Sequence, residues 1–228
     1  MVDFKKLSEY MKSDQYKIDQ EEKEKQYQEF MNQWRKTCCF TGHRPNKLNG
    51  CYSFNHPTAK LIKNKLTPII KDLIINEEVN KFISGGAIGT DQIAFWTVQT
   101  LKQQYPNIKN IVAKPFVNQN AVWKNLEILK WYHKMLEVAD EVINVEDIDG
   151  YKTKEQNIKY GDYSNPKMQK RNEWMVDNSK YIIAVYDGSK GGTANCINYA
   201  RRQMHLPESR CLIRLNPKYD YDEDRMYV

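Results

Sequence analysis

Two segments of this chain follow one plan: an apolar run, a turn rich in glycine, then a stretch with helical spacing. They are Ser84-Gly85-Gly86-Ala87-Ile88-Gly89-Thr90-Asp91 and Tyr186-Asp187-Gly188-Ser189-Lys190-Gly191-Gly192-Thr193. A buried strand that ends in glycines and opens a helix presents the first helical N–H groups outward, with the positive end of the helix dipole behind them. Without Cβ atoms the backbone can also be approached closely by a ligand. A third strand end, Thr41-Gly42-His43-Arg44, completes a set that points to a phosphate-bearing ligand.

The same alternation runs through most of the chain. Strands are expected at Thr37 to Thr41, Lys81 to Ser84, Asn110 to Lys114, Glu141 to Val145, Tyr181 to Tyr186 and Cys211 to Leu215. Amphipathic helices are expected at Thr58 to Ile75, Asp91 to Gln104, Ala121 to Val138, Lys167 to Asn178 and Thr193 to Met204. Strand and helix in this order require crossover connections, so the fold class is α/β: a Rossmann-like three-layer domain with a mainly parallel sheet. Ligands in such sheets gather at the carboxyl ends of the strands, where all three glycine-containing turns fall. Residues 146–166 show no period and form an excursion or lid over that edge.

Residues 1–36 differ in character. They carry eight Lys or Arg and eight Asp or Glu, no Gly or Pro, and apolar groups at Phe4, Leu7 and Met11 and at Tyr27, Phe30, Met31 and Trp34. Those spacings are helical. A helical N-terminal arm over 1–36 is therefore expected, followed by one nucleotide-binding domain over 37–228. The arm is expected to dock on its own domain or on a partner subunit, with a homo-oligomer as the assembly.

The formal charge of +6 comes from lysines scattered along the chain, not gathered in a stripe, which speaks against a nucleic-acid partner. No apolar run approaches a membrane span, and Met1 leads into charged sequence, so no membrane partner and a cytoplasmic location are expected. Five cysteines without Cys-x-x-Cys spacing, and His43, His56, His133 and His205 without ligand spacing, predict buried thiols and no metal site.

Taken in order, Thr41-Gly42-His43-Arg44-Pro45, then Gly85-Gly86-Ala87-x-Gly89-x-Asp91, then Lys114-Pro115-Phe116 with Gln119 and Trp123, then Arg171-Asn172, Tyr186-Asp187-Gly188 and Gly191-Gly192-Thr193 resemble the YpsA-like branch of the SLOG superfamily. The resemblance runs from about Cys38 to Arg214. It implies a Rossmann-like fold and recognition of nucleotides or nucleotide-derived signals such as ADP-ribose-type molecules. Relatives of that superfamily include the LOG phosphoribohydrolases, the single-stranded-DNA-binding DprA proteins and sensor domains of bacterial defence systems.

The segment Met168 to Met175 is similar to the LOG segment whose arginine assists N-glycosidic cleavage, and Arg171 falls on that arginine. The LOG motif that follows ends in a glutamate three residues after its threonine. Here the threonine is Thr193 and the later residue is Cys196. A thiol cannot replace a carboxylate beside an oxocarbenium-like transition state, so the resemblance favours binding over this chemistry.

The candidate ligand contacts are thus Thr41, Gly42, His43, Arg44, Ser84, Gly85, Gly86, Ala87, Gly89, Thr90, Asp91, Lys114, Phe116, Gln119, Trp123, Arg171, Asn172, Tyr186, Asp187, Gly188, Gly191, Gly192 and Thr193. Phosphates are expected at Gly85 to Thr90 and at Gly191 to Thr193, with His43 and Arg44 presenting cations. Asp91 admits two roles, a cap of its helix or a contact to ligand. Trp123 admits two roles, a core position on its helical pattern or a ring that stacks on a base. Gly86→Val and Gly192→Val are both expected to block binding while sparing the fold.

Three functions compete. The favoured one is capture, without turnover, of an ADP-ribose- or NAD-derived or cyclic-nucleotide signal, as a sensor or sequestering sponge in bacterial defence or phage counter-defence; no cofactor is required. The second is an N-glycosidic hydrolase or transferase using Arg171 with Asp91, Asp147 or Asp149. The third is a DprA-like single-strand binder.

Overall fold

The computed structural model describes residues 10–11, 13–153, 158–203 and 207–228. Phe4, Leu7, Met204 and His205, and residues 154–157 of the excursion, lie outside them. The chain divides into two units, Met1–Arg35 and Lys36–Val228. In the first, α1 (Asp14–Arg35) is one uninterrupted helix. The charged stretch at 20–25 belongs to it as a largely exposed face rather than a break.

The second unit holds β1 (Thr37–Gly42), α2 (Pro57–Asn76), β2 (Lys81–Ser84), α3 (Thr90–Leu101), β3 (Lys109–Lys114), α4 (Leu126–Val138), β4 (Glu141–Asn144), α5 (Asn165–Asp177), β5 (Tyr181–Val185), α6 (Gly192–Arg202), β6 (Cys211–Asn216) and β7 (Asp222–Tyr227). One seven-stranded sheet runs in the order β4-β3-β2-β1-β5-β6-β7. Every pairing is parallel except β6 with β7. This is the expected α/β Rossmann-like domain. No helix among the described residues is long and apolar enough to cross a membrane.

The core follows from the period-two alternation of central strands buried on both faces. In β1, Cys38 and Phe40 join Phe82, Ile183 and the apolar sides of α2 and α3, while Cys39 faces Ile182, Met175 and Ile197 of the opposite layer. Helix α2 shows why sequence spacing located it: Ala59, Ile62, Leu66, Ile69, Ile70 and Leu73 are buried on one stripe, after a start set by Pro57 and by the ring of His56, which accepts the Thr58 N–H at 3.2 Å.

Two departures have physical causes. The helix expected from Ala121 begins at Leu126, because Asn125 caps it by accepting the Ile128 N–H at 3.1 Å, which leaves residues 121–125 outside the helix. The strand β7 escapes sequence reading because Asp-Glu-Asp-Arg-Met-Tyr has almost no apolar alternation. It is an edge strand held by its ladder to β6, with Cys211 opposite Tyr227, and charge on an edge is what such a position favours.

The chain builds outward from β1 through β2, β3 and β4, then returns to place β5 and β6 on the other side of β1. The seam between β1 and β5 is the reversal point at which sheets of this kind open a crevice.

Candidate ligand-binding site

A cavity of about 380 Å³ opens at that seam. The end of β1 supplies Thr41 and Gly42, and the turn after it His43, Arg44, Asn46 and Lys47. From α3 come Ala87, just before it, and Asp91 in its first turn; from α5 come Asn165, Met168, Arg171 and Asn172; from the turn into α6 come Ser189, Lys190, Gly191, Gly192 and Thr193. Tyr163 closes one side.

Arg171 is the most unusual residue here. Its side chain is 5% exposed, its Nη1 donates to Asp91 Oδ2 at 3.3 Å, and its Nε has no partner among the described residues. A guanidinium carries five N–H donors and is strongly penalised when buried without acceptors. One long contact leaves most of that capacity unspent. Asp91 Oδ2 also accepts the Ala87 N–H at 3.3 Å, so this carboxylate both secures the turn before α3 and pairs with the arginine.

Arg44 lines the rim: its carbonyl accepts the Lys47 N–H at 2.9 Å, while its guanidinium makes no hydrogen bond or ion pair among the described residues. Lys47 donates to Ser189 Oγ at 2.7 Å and to the Lys190 carbonyl at 3.0 Å, which fixes the turn leading into α6. Among the described residues no side chain caps that helix, and its first residues, Gly192 and Thr193, line the cavity. Among the lining residues, Arg44, Lys47, Arg171 and Lys190 stand against one carboxylate, Asp91. The field is positive, as an anion requires.

His43 plays a different part from the one expected. The ring is 4% exposed, and its Nε2 lies 2.7 Å from Asp187 Oδ1 and 3.1 Å from the Asp187 backbone nitrogen. One ring nitrogen cannot donate and accept together, so the proton is assigned to the shorter contact, with Nε2–H donating to the carboxylate. Burial pulls the imidazole below its ordinary value of 6.5 although Asp187 works the other way. Partial burial opposes ionisation of Asp187, yet hydrogen bonds from Ser189 and His43 outweigh it and hold that carboxyl well below the usual range. His43 is thus a strut between the β1 and β5 turns, its Nε2 engaged by Asp187.

The first glycine turn is also corrected. Ser84, Gly85, Gly86, Gly89 and Thr90 do not line the cavity. A Cβ on Gly85 would stand 1.3 Å from Arg171 Nη1, so the space opened by that glycine is filled by the guanidinium rather than by phosphate. Gly86 has φ +68°, and a Cβ there would stand 3.2 and 3.3 Å from Val112 and Met135, which makes Gly86→Val a strained change that does not spare the fold. A Cβ on Gly192 would meet nothing within 4 Å among the described residues.

Lys114, Phe116, Gln119 and Trp123 also stand outside the cavity. Gln119 donates to the Gly85 carbonyl at 2.8 Å and accepts from Tyr132 Oη at 3.1 Å, bracing the turn from behind. Trp123 packs edge-on against Tyr132, 4.8 Å between centroids, in a cluster with Phe95 and Val112. Lys114 is buried at the end of β3, and desolvation lowers its pKa from 10.5. Phe116 contacts the ring of Tyr163. Tyr186, Asp187 and Gly188 support the turn without lining the cavity, and neither Asp147 nor Asp149 lines it.

Cys196, at the position of the LOG glutamate, is fully buried, and burial pushes its thiol up to about 11. It is a neutral packing group beneath Thr41. Lining residues that sequence reasoning missed are Phe40, Asn46, Lys47, Tyr163, Asn165, Met168, Ser189 and Lys190. Lys47 and Tyr163 lie in turns without period, and no sequence signal marked them.

The family model YpsA, described as the YspA SLOG family, matches residues 38–209. An uncharacterized SPbeta prophage-derived protein of Bacillus subtilis, YoqJ, is 49% identical over 172 residues, covering 75% of this chain and 97% of its own. A UPF0398 protein of Halalkalibacterium halodurans is 31% identical over 195 residues, with 84% and 95% covered. Among solved structures, DNA processing protein A from Helicobacter pylori, described for its single-stranded DNA binding mode, superposes with a TM-score of 0.51 at 14% identity, covering 85% of this chain and 71% of that one. That likeness is one of fold.

Proposed function

Since this chain belongs to the YpsA SLOG family, we propose that it captures a nucleotide-derived small molecule, of the ADP-ribose, NAD-derived or cyclic-nucleotide type, in the cavity between β1 and β5 and does not turn it over. The observation that carries this reading is Arg171: buried, with its Nε unpartnered, and lining a cavity with Arg44 and the uncapped start of α6. Such a constellation suits a phosphate, whose oxygens accept charge-assisted bonds from guanidinium and backbone N–H groups together. Against turnover stands the neutral Cys196 where the LOG family has its carboxylate. Asp91, the acid lining the cavity, is already engaged by Arg171 and Ala87.

A single nucleic-acid strand is the second reading, supported by the single-stranded DNA binding of the Helicobacter pylori protein and by the basic cavity. Calorimetry with ADP-ribose, NAD, a cyclic dinucleotide and a short oligothymidylate separates the two. Micromolar binding of one of the small molecules, recovered chemically intact by chromatography after heat denaturation, is the expected result. No small-molecule binding below millimolar concentration, or conversion into base and sugar products, overturns it.

A further inference from the structure

The excursion after β4 carries an aromatic ring to the cavity and holds it there. Tyr163 is 61% exposed and lines the same cavity as Arg44 and Arg171. An exposed tyrosine on an irregular segment is ordinarily free to turn, but this one is held at both ends. Its hydroxyl donates to Asn165 Oδ1 at 2.7 Å, and its ring meets that of Phe116 edge-to-face, 5.9 Å between centroids at 83°.

A buried ion pair fixes the segment itself. Lys167 Nζ and Glu146 Oε2 are 2.8 Å apart, with both side chains 5% exposed. Glu146 also accepts the Val117 N–H at 2.8 Å and the Gly161 N–H at 3.0 Å, while Lys167 donates to the carbonyls of Lys159 at 2.7 Å and Asp162 at 3.2 Å. The same ammonium sits 5.8 Å from the centre of the Phe116 ring. Three chain segments thus converge on one charge pair, which is linked to the tyrosine through Phe116.

We infer that Tyr163 is the platform on which the nucleobase of the bound molecule stacks, with Glu146 and Lys167 as positioning residues that fix its segment. This rests on the nucleotide-capture reading above. The stacking candidate read from the sequence, Trp123, is occupied in a separate cluster with Tyr132, whereas Tyr163 shares a cavity with the phosphate-seeking guanidiniums. Aromatic–base stacking is tolerant of base identity, because every base has a π face. The excursion therefore demands a planar base without selecting strongly among bases.

The test measures wild type, Tyr163→Phe and Tyr163→Ala by calorimetry against two probes: ADP-ribose, which carries a base, and ribose 5-phosphate, which does not. Loss of a stacking partner weakens binding by about five- to hundredfold. Tyr163→Ala is expected to lose about that factor for ADP-ribose and nothing for ribose 5-phosphate, while Tyr163→Phe keeps most of the affinity. Equal loss for both probes, or no loss for either, overturns the platform and leaves nucleotide capture standing. If the wild type binds neither ADP-ribose nor ribose 5-phosphate, both readings fall together.

Discussion

The guanidinium of Arg171 lies against the backbone of Gly85, so near that a Cβ there would stand 1.3 Å from Nη1 and 2.3 Å from Cζ. The two residues belong to different βα units, and one explains the other. The glycine that looked like a phosphate contact is the seat of the cation. Gly85→Ala should therefore displace Arg171. Overpacking of this kind costs about 1–3 kcal/mol, and for a chain of this length each kcal/mol lowers the thermal midpoint by about 2–4 °C. Gly192→Val, with open space around it, should leave the midpoint near that of wild type while weakening ADP-ribose binding. Scanning calorimetry and titration of the two variants side by side check the contrast; equal melting of both would refute it.

Arg171→Ala should weaken ligand binding by roughly ten- to hundredfold, the value of about 1.5–3 kcal/mol for a charge-assisted partner. It also strands Asp91, leaving a buried carboxylate with the Ala87 N–H alone. Adding Asp91→Asn should restore part of the lost stability but none of the lost affinity. Urea denaturation and calorimetry on the single and double variants separate the two effects.

The His43–Asp187 strut gives the site an acid limit. The imidazole titrates below its unfolded value of 6.5, so on acidification the unfolded chain takes up the proton first. Its contribution is complete above pH 6.5 and is lost as pH falls from there through the lowered folded value. Asp187 acts in the same direction, its contribution complete above 3.8 and lost only in stronger acid. Stability measured by urea midpoint should fall between pH 7 and 5, and His43→Gln should flatten that decline. An unchanged slope would show that other groups set it.

Breaking the pair under the excursion should be costly. Removal of one partner of a buried ion pair leaves an uncompensated charge, worth about 3–5 kcal/mol. Lys167→Met alone should approach that loss, and Lys167→Met with Glu146→Leu should recover part of it. Thermal denaturation of both variants gives the answer.

Much of the fold was legible because central parallel strands are apolar throughout and their helices carry one apolar stripe. Lys81 to Ser84 was located to the residue, and the remaining five strands to within one residue at each end. The edge strand Asp222–Tyr227 was not, since backbone pairing and not side-chain pattern holds it. At the site, Arg44, Arg171 and Gly191 to Thr193 line the cavity as expected from their places at strand and helix ends. What sequence could not convey was direction. Gln119 and Trp123 follow a strand end just as His43 does, yet they turn behind the first glycine turn, toward Tyr132. Tyr163 reaches the cavity through a pair, Glu146 with Lys167, that no local pattern announces.

The strut between His43 and Asp187 spans 144 residues of sequence, and the central pairing of β1 with β5 is of the same range. Closing so long a loop carries an entropic cost that must be met before the contact returns anything, so this seam belongs to the late part of folding. During synthesis β1 leaves the ribosome early and has only β2 beside it until the last quarter of the chain arrives. The neighbour that completes the sheet's centre is also the one that completes the cavity. A half-made chain therefore has no site to fill, and a molecule held between the two strands becomes a latch across the pairing that joins the early and late parts of the chain.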